Sequence, residues 1–62
     1  MAKYEIQLNG HPVAVALGVE YAFEVYSKTK ELAELIVGSV DLVDLDTAEC
    51  IAWWDFETGE GM

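Results

Sequence analysis

The sequence predicts an α+β fold: an antiparallel sheet of four to five strands with one short helix packed on one face, in the order β-β-β-α-β-β. Apolar and polar residues alternate through the first part of the chain, and near residue 30 the apolar period lengthens to that of a helix. Alternation returns after residue 39. A sheet and one helix of these lengths stack as two layers around a single core.

Tyr4, Ile6 and Leu8 alternate with Lys3, Glu5 and Gln7, the period of a half-buried strand. Asn9-Gly10 follows, a dipeptide that accepts the positive φ values of a type I′ hairpin turn, and Val13, Val15 and Leu17 then resume the alternation. These two strands are expected to pair. Pro12 has no N–H to give a ladder, so its strand begins there or presents that end as an edge. Beyond Gly18, the residues Val19, Tyr21, Phe23 and Val25 alternate with Glu20, Ala22, Glu24 and Tyr26. A helix over 19–37 competes for this stretch, but its β-branched and aromatic content favours a third strand over 19–26.

From Ser27 onward, Leu32, Leu35 and Ile36 share one helical stripe, Ser27 or Thr29 is placed to cap the start, and Gly38 sits where a left-handed C-terminal residue is expected. Residues 28–37 therefore read as the helix. The last third reads as a hairpin, with 40–45 and 50–56 flanking Asp46-Thr47-Ala48-Glu49. Keeping Val40, Leu42, Val43 and Leu45 all inward requires a bulge near Leu42-Val43, which turns Asp41, Asp44 and Asp46 outward together. Residues 58–62 have nothing to pack against and are expected to fray. Trp53 and Trp54 are adjacent, so they point to opposite faces, and a single short helix covers only one of those faces.

At 62 residues the chain has room for one small core, and a single domain over 1–62 is expected. A hydrophobic content of 53% sets it apart from disordered chains. Twelve acidic residues against three basic ones give a formal net charge of -9. Such an imbalance destabilises a compact state through self-repulsion. It also excludes direct nucleic-acid binding, because phosphate contacts need a basic patch that three lysines do not make. The only cysteine, Cys50, permits no intramolecular disulfide and suits a reducing compartment. With neither a signal-peptide pattern nor an apolar span of membrane length, a cytoplasmic location in the host cell, away from membranes, is expected.

Catalytic readings do poorly on these residues. His11 is the only histidine and falls in a turn, while Cys50 reads as a small buried hydrophobe within a strand. Paired carboxylates need a walled cleft to separate their pKa values, and so short a chain has little room for one. Asp44, Asp46 and Glu49 lie close in sequence, but their spacing lacks the third ligand, the glycine and the bidentate glutamate of an EF-hand loop. No enzymatic activity, metal or cofactor is expected. What remains is the acid itself: outward residues two apart on a strand stand about 6.7 Å from each other, and such rows imitate the regular negative charge of a duplex backbone. Glu5, Glu20, Glu24, Asp41, Asp44, Asp46, Glu49, Asp55 and Glu57 are the candidates for these rows, with Trp53 or Trp54 as the desolvated anchor among them.

In length, acidity, α+β pattern and lack of catalytic residues, the chain resembles the small acidic phage proteins that inhibit host defences, anti-CRISPR proteins and anti-restriction DNA mimics. The resemblance implies a DNA mimic that occupies the basic DNA-binding surface of a CRISPR effector, such as a type I Cascade complex; a monomer or weak homodimer is expected. The alternative is a non-enzymatic interaction module, antitoxin-like or an assembly partner, binding through a sheet edge or an open apolar face.

Overall fold

A computed structural model describes residues 2–62. It contains β1 (Lys3–Leu8), β2 (His11–Leu17), α1 (Val19–Ile36), β3 (Ser39–Asp44), β4 (Glu49–Asp55) and β5 (Glu60–Gly61). The five strands form one antiparallel sheet in the order β2-β1-β3-β4-β5. Helix α1 packs on one face of it, against β3, β1 and β2. The α+β architecture of one helix on an antiparallel sheet is thus present, but the element order is β-β-α-β-β-β.

The opening hairpin forms as its sequence dictates. Leu8 pairs with His11 across Asn9-Gly10, and both turn residues take positive φ, 54° and 81°. Asn9 does more than turn the chain. Its N–H donates to the Ser39 carbonyl at 2.8 Å and its Oδ1 accepts the Ser39 N–H at 2.9 Å, tying the hairpin tip to the start of β3.

Residues 19–26 are helical, which overturns the expected third strand. Gly18, at φ 87°, turns the chain out of β2, and the helix then runs for 18 residues, about 27 Å. Alternation at Val19, Tyr21 and Phe23 misled because those side chains stay exposed. The buried helix positions are Ala22, Tyr26, Thr29 and Ala33, spaced at four, three and four, so tertiary packing follows the helical period. Thr29 satisfies its buried hydroxyl by donating to the Val25 carbonyl at 2.9 Å.

The helix ends differently from expectation as well. Val37, at φ 53°, takes the left-handed position expected of Gly38. Gly38 is needed for another reason: a Cβ there would run into the Asn9 side chain that holds Ser39. Glycine serves close approach, and a β-branched residue carries the backbone strain.

One core cluster joins Ile6, Ala16, Ala22, Tyr26, Ala33, Val40, Leu42 and Ala52, with Trp54 and Phe56 packed at its margin. The C-terminal residues expected to fray close the sheet instead. Gly61 pairs with Trp54 and Glu60 with Asp55, while the Met62 N–H donates to the Trp53 carbonyl at 3.0 Å. A Cβ on Gly61 would collide with the Trp54 ring, so β5 fits only because that residue lacks a side chain.

Val37→Gly should therefore raise stability by about 1 kcal/mol, the cost of a left-handed backbone for a residue with a Cβ, since Val37 is 58% exposed and buries little. Gly38→Ala should lower it by about 1–2 kcal/mol through the clash with Asn9. Chemical denaturation of the two variants checks both signs, and a destabilised Val37→Gly would contradict the strain.

Candidate partner-binding surface

Strand register decides which candidate residues meet. Gln7 pairs with Asp41 and Asp41 with Trp53, while Glu5 pairs with Val43 and Asp55 with both Ser39 and Glu60. With Ile6, Val40, Leu42 and Ala52 buried under the helix, alternation places Glu5, Asp41, Trp53, Asp55 and Glu60 on the uncovered face. Trp53 stands directly across from Asp41 and two residues before Asp55, half-buried between acids.

The remaining candidates lie elsewhere. Strand β3 pairs with β1 without interruption from Val40 to Asp44, so Asp41 and Asp44 fall on opposite faces. The register shift does occur opposite Leu42 and Val43, but the extra residue is Ile51 on β4. The expected outward row of Asp41, Asp44 and Asp46 is therefore not formed. Asp44 and Asp46 instead build the β3–β4 turn, where Asp44 Oδ1 accepts the Asp46 N–H at 2.9 Å. Glu49 follows that turn at the start of β4, and Glu57 is in the β4–β5 turn, donating its N–H to Asp55 Oδ1 at 2.9 Å.

Glu20 and Glu24 belong to α1, across the sheet from Asp41, and Glu24 lies 4.0 Å from Lys28. Such an exposed helical pair contributes a few tenths of a kcal/mol at most. Cys50, expected to be buried, is exposed on β4, with Sγ 3.4 Å from the Ala52 carbonyl oxygen and 4.0 Å from Asp41 Oδ1. Glu60 is the acid that sequence reasoning missed: it was assigned to a fraying tail, and a strand of two residues leaves no alternation to detect.

Trp54 faces the helix. Lys30 Nζ sits 4.7 Å from its ring centroid, and the Phe56 ring is 6.1 Å away. Ser27, Lys30, Glu31 and Glu34 complete a shallow groove of about 290 Å³ over these two aromatics. Trp54 is accordingly a packing residue, and Trp53 is the aromatic of the open face.

The uncovered face carries electrostatic strain. Burial first, and the negative charge of Asp55 second, push the Asp41 carboxyl above its ordinary value. Burial likewise raises the Tyr26 phenol, with the charges of Asp41 and Cys50 adding to it. Among the described residues, no three His, Cys, Asp or Glu side chains converge as metal ligands. No described helix is long and apolar enough to cross a membrane. No family model, curated protein or solved structure matches the chain.

A carboxyl whose folded pKa is raised penalises the native state while ionised, and the penalty vanishes as pH falls through that pKa toward the unfolded value. Asp41 should thus make the protein more stable as pH drops from 7 toward 4. Asp41→Asn should melt higher than the parent at pH 7 and lose this part of the rise. Thermal melts across that range check it, and a parent melting temperature falling steadily from pH 7 to pH 5 would contradict it. Trp54→Ala should cost about 3 kcal/mol of stability as a packing residue. Trp53→Ala should cost less than half of that in the same denaturation experiment.

Proposed function

We propose that this chain is a non-enzymatic inhibitor that docks its uncovered sheet face on a basic, nucleic-acid-binding surface of a partner, standing in for the DNA backbone. The observation that carries this reading is the grouping of Glu5, Asp41, Asp55 and Glu60 around the half-buried Trp53 on one open face. These acids stand on four different strands, β1, β3, β4 and β5, where directly opposed residues are about 5 Å apart and diagonal ones about 7–8 Å, a spacing that lysines and arginines arranged for phosphates accept. Trp53 supplies the desolvated contact that charge alone lacks.

The raised pKa of Asp41 supports the same reading. Burial first, and the charge of Asp55 second, make the ionised form of Asp41 costly, and a cation from a partner would offset both. Binding of this kind is steered by the net charge of -9 and weakens as salt rises. The target that the sequence resemblance implies is a CRISPR effector complex, with type I Cascade first to be tried.

Displacement of labelled duplex DNA from purified type I Cascade tests this directly. The parent chain should displace the duplex, and the double variant Asp41→Asn, Asp55→Asn should need at least tenfold more protein. Its residual binding should also fall less steeply with salt. Failure of the parent to displace DNA would reject this target, and equal displacement by parent and double variant would reject the acidic face as the site.

A further inference from the structure

The groove over Trp54 and Phe56 exists because the sheet is wider than the helix that lies on it. Five strands about 4.8 Å apart span about 19 Å, whereas a helix with its side chains is about 10–12 Å across. Helix α1 rests on β3, β1 and β2, so the covered side of β4 projects beyond it. Trp54 and Phe56 floor the step that results, and Ser27, Lys30, Glu31 and Glu34 wall it. Those four residues are spaced at three, one and three, a single stripe along one flank of the helix.

The chemistry of this step favours a cation. Aromatic faces attract positive charge, and one ammonium already takes that place: Lys30 Nζ lies 4.7 Å from the Trp54 ring centroid. Lys30 and Glu34 are correctly spaced to pair on the helix, yet among the described residues the one ion pair is Lys28 with Glu24. Glu31 and Glu34 are therefore exposed carboxylates that hold no cation. They stand three residues apart on one flank, where Cβ atoms are about 5–6 Å from each other. With two carboxylates and one ammonium the groove stays negative, and so does the chain around it, at a net charge of -9.

We infer that this groove binds an arginine side chain of a partner protein, its guanidinium stacked on Trp54 and its N–H groups donating to Glu31 and Glu34. Phe56, with its ring 6.1 Å from that of Trp54 and tilted 60° to it, flanks the stem of the arginine. Shape and hydration select arginine over lysine. A planar fork of donors reaches two carboxylates while its face rests on a ring, and a guanidinium gives up water more readily than an ammonium does. Lys30, the better hydrated cation, yields the ring and moves into solvent. The volume of about 290 Å³ is at the lower end for ligand pockets, which suits one long side chain rather than a folded element. This site is on the covered side of the sheet, opposite Asp41 and Trp53, and it does not depend on docking by the uncovered face.

NMR titration of the full chain with the peptide acetyl-Gly-Arg-Gly-amide tests the inference. The Trp54 indole N–H and the amides of residues 27–34 should shift saturably, with a dissociation constant on the order of 1 mM. The matching citrulline peptide, which keeps the shape without the charge, should bind at least tenfold more weakly, and the lysine peptide at least threefold. Free arginine, which brings a carboxylate toward Glu31 and Glu34, should also bind more weakly than the peptide. Replacing both acids, Glu31→Gln and Glu34→Gln, should weaken the arginine peptide at least tenfold while circular dichroism shows the fold retained, since both positions are exposed. Lys30→Gln should tighten binding at least threefold by removing the competing ammonium. Lys28→Gln removes the same charge from the same helix outside the groove, and it should change affinity less than twofold. Tighter binding of free arginine than of the peptide would overturn the partner protein as the source, and equal binding of the citrulline peptide would overturn the cation. No saturable shift below about 10 mM, or shifts that centre on Trp53 and survive the loss of Glu31 and Glu34, would overturn the groove and leave the acidic-face reading untouched.

Discussion

Small side chains at the contact between helix and sheet set the terms for the rest of this molecule. Ala16, Ala22, Ala33 and Ala52 share the core with Ile6, Val40 and Leu42, and Tyr26 is its one large aromatic. Alanines let the helix axis come close to the strands, which is how so short a chain excludes water from a core at all. The same closeness leaves the larger aliphatic residues of the helix, Leu32, Leu35 and Ile36, outside that core. A single helix also covers only one face, so the side chains of the other face remain with solvent or with a partner.

Charge and apolar surface are sorted across the sheet as a result. Acids crowd the face and turns of β3, β4 and β5, whereas β2 carries no charged residue from Pro12 to Leu17. Uniformly scattered acid would give solubility with less repulsion between neighbours such as Asp41 and Asp55.

Much of the fold was legible where a local rule has a single structural solution. Asn9-Gly10 strongly favours a type I′ turn, and adjacent Trp53 and Trp54 in a strand must diverge, which placed one tryptophan on each face. The first half of the helix was not legible, because alternation at Val19, Tyr21 and Phe23 satisfies a strand while Ala22, Tyr26, Thr29 and Ala33 satisfy a helix. Only the sheet beneath chooses between the two periods. The acidic site was partly legible for a related reason. Asp41, Asp55 and Trp53 group as alternation allows, but putting the extra residue on β4 instead of β3 reverses the face of Asp44. A one-residue change of register moves every following side chain to the other face, and sequence alone does not say which strand carries the bulge.

The account rests on Asp41 and Asp55 being close, ionised and mutually repelling on an open face. Site-resolved NMR titration of the side-chain carboxyls measures this directly. Asp41 should titrate above the ordinary aspartate value and shift down when Asp55 is replaced by asparagine, and adding a basic peptide should lower it further in the intact protein. An Asp41 carboxyl that titrates at the ordinary value and responds to neither change would contradict the strained acidic face.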